Sequence, residues 1–122
     1  QNFDGHNYAS QAIAQGAAAV LVEKVTEATP ALLVQDTLQA LGALSHYWRN
    51  KFAIPILAVT GSNGKTTVKE MLAAILRAST ETSDQVLATE GNLNNHIGSP
   101  MTLLKLRSQH RYAVVEMGMN HS

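Results

Sequence analysis

The pattern of apolar and polar positions in the first half of the chain predicts two strands between two helices. An alanine-rich stretch from Tyr8 to Gln15 favours a short helix. Short apolar runs at 18–22 and 31–34 are typical of buried strands joined by a loop. Asp36 is the predicted N-cap of a second helix, which should end near Phe52. The predicted inner face of that helix consists of Leu38, Leu41, Leu44 and Trp48.

In the second half of the chain, strand and helix patterns alternate. Apolar runs at 56–59, 86–89 and 112–117 predict strands, and a helix over 99–106 should begin with Ser99 as its cap. This alternation predicts a parallel, doubly wound sheet with ligands at the carboxyl ends of its strands. The buried face of the helix after the first of these strands is predicted to consist of Val68, Met71, Leu72, Ile75 and Leu76.

The predicted fold class is therefore α/β, with two domains. Residues 1–53 would be the end of a small N-terminal α/β domain, and residues 54–122 the first part of a parallel-sheet domain with a phosphate loop. Three strands are too few for a well-covered parallel sheet. We therefore expect the chain to be a fragment of a larger protein.

The most informative segment is a glycine-rich loop, TGSNGKTT, between the 56–59 strand and the helix that follows. A strand delivers such a loop to one edge of a sheet, and the helix N-terminus then offers backbone N–H groups to phosphate oxygens. Its glycines permit backbone geometry that a Cβ would obstruct. The loop predicts a site for a nucleoside triphosphate, formed by Thr60, Gly61, Ser62, Asn63, Gly64, Lys65, Thr66 and Thr67.

Three side chains supply the predicted chemistry of this site. Lys65 offers a point charge to the terminal phosphates, and the Thr66 hydroxyl suits Mg²⁺. Glu116 ends the last predicted strand, so its carboxylate should reach the same edge of the sheet and complete a magnesium site with Thr66. A second candidate is the asparagine-rich loop at 89–100, whose amides can both donate to and accept from a polar ligand, although an ordinary surface turn explains it equally well.

Composition narrows the function classes. Nine basic and nine acidic residues give no net charge, which removes the electrostatic argument for a nucleic-acid or membrane-surface partner. The absence of cysteine excludes disulfides and thiolate metal sites. No apolar run approaches the roughly 20 residues that a membrane span requires, and no signal pattern opens the sequence. We expect a cytoplasmic location.

Three segments together, TGSNGKTTVKEM, TEGNLNNHIGSP and AVVEMGMNH, resemble the Mur ligase family. The upstream segment FDGHNYASQAIAQGAAAVLVEK is similar to the latter part of that family's N-terminal, UDP-recognising domain. The asparagine loop and EMGMNH favour the family member that joins D-alanyl-D-alanine to UDP-N-acetylmuramoyl-tripeptide in peptidoglycan synthesis. The resemblance thus implies ATP and Mg²⁺ as cofactors, with these two molecules as substrates.

The resemblance also implies roles for individual residues. ATP would phosphorylate the peptide carboxylate to an acyl phosphate, which the amine of D-alanyl-D-alanine attacks, with Lys65 and Glu116 as catalytic residues. The muramoyl-peptide side of the cleft would be lined by Thr89, Asn92, Asn94 and Asn95, with Asn120 and His121 near it.

Because family members need parts that these 122 residues lack, we expect the fragment to be inactive alone. Two alternatives stay open. One is the sibling ligase that adds the third-position diamino acid, and the other is a non-catalytic module that binds a nucleotide as a structural ligand.

Overall fold

The computed structural model describes residues 4–91 and 95–118. They form two compact units, which divide after Ala40. The predicted domains, 1–53 and 54–122, stay a prediction. No helix within the described ranges has the length and apolar character to cross a membrane.

The first unit pairs two short parallel strands, β1 (Val20–Val22) and β2 (Ala31–Leu33). A single 3₁₀ turn (Gly5–Tyr8) leads into α1 (Ala9–Ala14). Its small core consists of Ala9, Val22 and Ala28, against which Ile13 and Val20 pack. The prediction that the second strand is buried is wrong, because all three residues of β2 are exposed. A two-stranded sheet offers too little surface to cover both faces of each strand.

Helix α2 (Thr37–Arg49) contains the boundary between the units. Its predicted cap is confirmed, since the Asp36 carboxylate accepts the N–H groups of Leu38 and Gln39 at 3.0 and 3.1 Å. At the other end, the Arg49 guanidinium donates to the carbonyl oxygens of Phe52 (2.6 Å) and Ile54 (3.2 Å). These bonds fix the segment that follows the helix and leads toward the next strand.

In the second unit, three parallel strands stand in the order β3, β5, β4, which confirms the predicted α/β class with parallel sheets. Their bounds are β3 (Ile56–Val59), β4 (Val86–Ala88) and β5 (Tyr112–Glu116). Two helices, α3 (Lys65–Ala78) and α4 (Gly98–Leu103), connect them, and a 3₁₀ turn (Ser83–Gln85) precedes β4. The central strand β5 is buried from Ala113 to Glu116, as expected for a strand paired on both sides.

The core of this unit lies around Leu87, Leu106 and Ala113. Trp48, the single tryptophan of the sequence, packs on this cluster and donates its indole N–H to the carbonyl oxygen of Leu106 at 3.0 Å. Its ring meets that of Phe52 edge to face, with 5.4 Å between the centroids.

The predicted inner faces of two helices are partly wrong. On α3, three of the predicted residues are about half exposed, and Lys69 and Ala73 are buried instead. On α2, Ser45 is the buried residue, whereas two of the predicted leucines lie about half exposed. Which side of a helix is buried depends on the elements against which it packs. A small side chain, or a polar one that has a hydrogen-bond partner, can occupy a buried position there. The exposed residues are Val68, Met71 and Ile75 on α3, and Leu38 and Leu44 on α2.

We expect Leu106→Ala to destabilise the second unit by about 2–5 kcal/mol, because it leaves a cavity where a fully buried side chain lay. Urea unfolding followed by the fluorescence of Trp48 measures this effect at the cluster itself. Leu44→Ala is the matched control, since that leucine is 51% exposed and should cost less than about 0.5 kcal/mol. Equal losses for the two variants would contradict the described core.

Hydrogen bonds to the Asp4 carboxylate hold its pKa well below the ordinary value of 3.8. The largest contribution comes from Lys24 and the next from His6. Because folding lowers this pKa, the ionised carboxylate stabilises the first unit above pH 3.8, and the contribution is lost as pH falls through the folded value. Lys24→Ala should raise the pKa of Asp4 toward 3.8, as measured by NMR titration of its carboxyl carbon. Lys51→Ala, which removes a lysine of the other unit, should leave that pKa unchanged.

Candidate phosphate and metal site

The glycine-rich loop lies between the end of β3 and the start of α3. Gly61 and Gly64 adopt φ values of +145° and +76°, which side-chain-bearing residues rarely adopt. Gly64 is the N-cap of α3, and its carbonyl oxygen accepts the N–H of Val68 at 3.0 Å. The N–H groups of the first helical turn lack partners within the helix, so they suit an anion placed at this end.

Lys65 folds back over its own loop. Its ammonium group donates to the carbonyl oxygen of Gly61 at 2.9 Å. An ammonium group has three donors, so this bond leaves the charge able to contact an anion held at the loop. The remaining predicted loop residues, Thr60, Ser62, Asn63 and Thr67, are exposed.

The register of the sheet brings Glu116 to the loop. In the parallel pair of β3 and β5, Glu116 lies opposite Val59, the last residue of β3 before the loop, and the N–H of Met117 donates to the carbonyl oxygen of Val59 at 2.9 Å. The Thr66 hydroxyl then lies 3.2 Å from each carboxylate oxygen of Glu116. Two side chains 50 positions apart in the sequence thus form one group of hard oxygen atoms.

Glu116 is only 2% exposed, and its backbone is held on both sides. Its N–H donates to the Thr89 hydroxyl at 2.9 Å, and its carbonyl oxygen accepts the Ser99 hydroxyl at 3.4 Å. Thr89 in turn donates its N–H to the carbonyl oxygen of Val114 at 3.0 Å. These bonds fix the backbone of Glu116 at the end of β5, and its side chain lies buried against Thr66.

These oxygen ligands fit Mg²⁺. The ion prefers hard oxygen donors and is commonly held by one or two protein ligands together with waters and substrate phosphates. A buried carboxylate beside a threonine hydroxyl at a phosphate loop provides such a partial set. Within residues 4–91 and 95–118, no group of three or more histidine and acidic side chains forms a larger metal cage.

The predicted substrate residues are placed differently from one another. Thr89 is buried, and both its hydroxyl and its carbonyl oxygen form bonds within the protein. Asn95 is exposed at the start of α4, where its side-chain oxygen accepts the N–H groups of Ile97 (3.2 Å) and Gly98 (2.7 Å). Their contacts with substrate stay predictions. Four further candidates lie outside the described residues: Asn92, Asn94, Asn120 and His121.

Asn95 also corrects a prediction about α4. Ser99 is not the cap of this helix, because it lies within the helix and bonds to Glu116, whereas Asn95 satisfies the free N–H groups at its start. The helix ends at Leu103 instead of Leu106. Beside Asn95, a cleft of about 270 Å³ opens toward the end of β5 and is lined by Asn95, His96, Ser99, Pro100, Leu103, Met117 and Gly118.

Sequence reasoning missed Lys69. This side chain is 1% exposed, and its ammonium group donates to the carbonyl oxygen of Thr89 at 2.7 Å. A signal was present in its spacing, because Lys69 precedes Leu72, Ala73 and Leu76 by three, four and seven positions and so shares their helical face. A lysine on an apolar stripe indicates either a buried ion partner or a functional site.

The comparisons agree with the loop and its setting. Residues 59–122 match the Mur ligase middle domain family. The chain is 49% identical to a UDP-N-acetylmuramoyl-tripeptide–D-alanyl-D-alanine ligase from Haemophilus influenzae and 48% identical to one from Escherichia coli, with 99% of this chain covered in each case. The chain spans only about a quarter of those relatives, 27% and 26% of their lengths.

Solved structures give the same result. MurF from Acinetobacter baumannii matches with a TM-score of 0.86 and 46% identity, covering 100% of this chain and 26% of that one. MurF ligase from Thermotoga maritima, solved in complex with ADP, matches with a TM-score of 0.81 and 32% identity, covering 98% and 27%. With more than half of its length matched by the middle-domain family, this chain belongs to the Mur ligase family.

Proposed function

We propose that this chain is the part of a Mur ligase that binds ATP and Mg²⁺ for the joining of D-alanyl-D-alanine to UDP-N-acetylmuramoyl-tripeptide. The contact of Thr66 with the buried carboxylate of Glu116, at the end of the glycine-rich loop, carries the proposal. The names of the relatives from H. influenzae and E. coli support the choice of substrates. The ADP complex of the T. maritima relative supports the nucleotide.

The proposed reaction has two steps. A carboxylate oxygen of the peptide attacks the γ-phosphorus of ATP, and ADP leaves, which converts a poor electrophile into an acyl phosphate. The amine of D-alanyl-D-alanine then attacks the acyl carbon, loses a proton and expels phosphate, so that an amide bond forms. Phosphoryl transfer requires mainly positioning and neutralisation of the spreading negative charge.

The residues of the loop suit the first of these steps. The N–H groups of the first turn of α3 point out of the N-terminal end of the helix and would hold phosphate oxygens. The Lys65 ammonium group donates to the Gly61 carbonyl oxygen with one N–H and would donate to the terminal phosphates with the others. Thr66 and Glu116 would hold the magnesium ion, which when bound neutralises phosphate charge. Because Glu116 is buried and fixed by its backbone bonds, this geometry exists before the nucleotide binds.

Several finer assignments belong to the same proposal. The muramoyl-peptide would contact the side of the cleft that holds Thr89 and Asn95, and the reaction would take place in the cytoplasm, where ATP is available. Because the chain spans about a quarter of its relatives, we propose that it does not turn over alone. The sibling ligase that adds a diamino acid is less well supported, since both of these relatives are named as D-alanyl-D-alanine ligases of the UDP-N-acetylmuramoyl-tripeptide.

We expect Lys65→Met to weaken ATP binding roughly tenfold or more, because a charge-assisted bond to phosphate contributes about 1.5–3 kcal/mol. Isothermal titration calorimetry with ATP and Mg²⁺ measures the change. Lys105→Met is the matched control: this lysine is partly exposed and pairs with Glu90 at 3.5 Å, so ATP binding should stay within about twofold. Equal affinities for Lys65→Met and the unaltered protein would contradict the loop's proposed role.

We expect Glu116→Gln and Thr66→Val to abolish most of the enhancement that Mg²⁺ gives to ATP binding, while binding in EDTA changes little. The amide and the methyl group are poor magnesium ligands, but the loop that holds the phosphates stays in place. Titrations with and without the metal separate the two contributions. The control is Glu90→Gln, which alters an exposed glutamate of the same unit and should leave the enhancement intact.

The same experiment distinguishes a module that binds ATP only as a structural ligand. Such a module needs no metal-assisted transfer, so its ATP binding would be as sensitive to Mg²⁺ in Glu116→Gln as in the unaltered protein. That result would remove the proposal of a ligase site.

A further inference from the structure

A buried lysine lies next to the proposed metal site without contacting it directly. Lys69 is on α3, three positions after Thr66, and is 1% exposed. Its ammonium group donates to the carbonyl oxygen of Thr89 at 2.7 Å and lies 3.0 Å from the carboxylate of Glu70. A buried ammonium group is unfavourable unless it is paired and hydrogen-bonded, so these partners must fix its position.

The ion pair with Glu70 does not explain why the lysine is buried. The Glu70 side chain is 62% exposed and neighbours Lys69 in the sequence, so a lysine pointing to solvent could meet it as well. The bond to Thr89 is different, because it joins α3 to the end of β4 and both of its groups are buried. A methionine would fill the same space but could not donate to that carbonyl oxygen.

Thr89 passes this constraint on to the proposed metal ligand. Its carbonyl oxygen accepts from Lys69, and its hydroxyl accepts the N–H of Glu116 at 2.9 Å. The Glu116 carboxylate then accepts the hydroxyl of Thr66, which lies on the same helix as Lys69. Three hydrogen bonds connect these four residues in a path that begins and ends on α3, and the helix backbone between Thr66 and Lys69 closes it. We name this path the α3 ring.

We propose that Lys69 is a positioning residue, which acts through Thr89 to hold the Glu116 carboxylate against Thr66 for the metal. This inference rests on the proposed function, because it concerns the same site. Without the lysine, the carbonyl oxygen of Thr89 would be buried without that donor, and the end of β4 would shift to find another partner. The Thr89 hydroxyl would move with it, and the Glu116 carboxylate would lose its fixed distance from Thr66. Changes in a group that bonds directly to a metal ligand, as Thr89 does, commonly weaken metal binding about 10- to 100-fold. Lys69 is one hydrogen bond further away, so we expect an effect at the lower end of this range.

The test is Lys69→Met, with ATP titrated in EDTA and in Mg²⁺, and with Mn²⁺ bound as a spectroscopic probe. We expect ATP binding in EDTA to stay within about twofold, because Lys69 does not touch the loop, and the enhancement by Mg²⁺ to fall about tenfold or more. The electron paramagnetic resonance spectrum of Mn²⁺ with ATP should show a changed coordination. An undiminished enhancement with an unchanged spectrum would overturn the inference.

Thr89→Val tests the α3 ring from its other side. It keeps the carbonyl oxygen that Lys69 binds and removes the hydroxyl that holds Glu116, so we expect the same loss of the Mg²⁺ effect. If Lys69→Met does not fold, Thr89→Val decides the question, since a full Mg²⁺ effect in that variant would show that the Glu116 carboxylate needs no support from the ring.

Chemical rescue separates the amine from general packing. Because the sequence contains no cysteine, Lys69→Cys can be alkylated with bromoethylamine in the unfolded state and then refolded, which restores a lysine-like side chain at this position alone. The Mg²⁺ effect should return after alkylation and stay absent in Lys69→Cys blocked with iodoacetamide. Lys105→Met is the control for loss of a lysine at a distance from the α3 ring.

Failure of the proposed function would look different, because then the unaltered protein would show no Mg²⁺ effect on ATP binding, and both proposals would fall.

Discussion

The second unit depends on one constraint, the burial of the Glu116 carboxylate at the carboxyl end of the central strand. A charge that is 2% exposed in a protein interior needs polar partners in fixed positions. The Thr66 hydroxyl from α3 bonds to the carboxylate itself. The Thr89 hydroxyl, at the end of β4, and the Ser99 hydroxyl, from α4, bond instead to the backbone N–H and carbonyl oxygen of the same residue. The connection between β3 and β4 thus contributes one contact to Glu116, and the connection between β4 and β5 contributes two.

Parallel pairing makes this convergence possible. Neighbouring parallel strands end at one edge of a sheet, so the loop after β3, the segment after β4 and the last residue of β5 meet there without a long detour of the chain. The same edge receives the N-terminus of α3, whose free N–H groups favour anions. A carboxylate next to an anion site is unfavourable by itself. It becomes useful when a divalent cation lies between the two, which is why we propose Mg²⁺ for this edge.

Helix α3 contributes to the site at two points of its length. Its first turn carries Lys65 and Thr66, which face the loop and Glu116. One turn further, Lys69 reaches inward to Thr89. A helix is stiff over this distance, so a contact at one point limits movement at the other. This stiffness is the physical basis for proposing that a lysine outside the loop affects the metal site.

Much of the fold and of the candidate site could be predicted from the sequence, because the signals were local. Every predicted strand and helix exists, Asp36 caps its helix, and the glycine-rich loop lies between a strand and a helix. The glycines at 61 and 64 are plain in the sequence, and both adopt positive φ values that glycine favours. From residue type and position in the sequence, Lys65 was predicted to contact phosphate, and Thr66 and Glu116 were predicted to bind Mg²⁺.

What the tertiary structure decided was which groups meet. The sequence could not state that Lys69 would be buried while Val68, Met71 and Ile75 stay exposed, because the inner face of a helix depends on the sheet against which it packs. It could not state that the side chain of Asn95, and not that of Ser99, accepts N–H groups at the start of α4, or that a 3.2 Å contact joins two residues 50 positions apart. Local propensity depends on residues close together in the sequence, whereas strand register and packing depend on contacts between distant segments, which only the folded structure fixes.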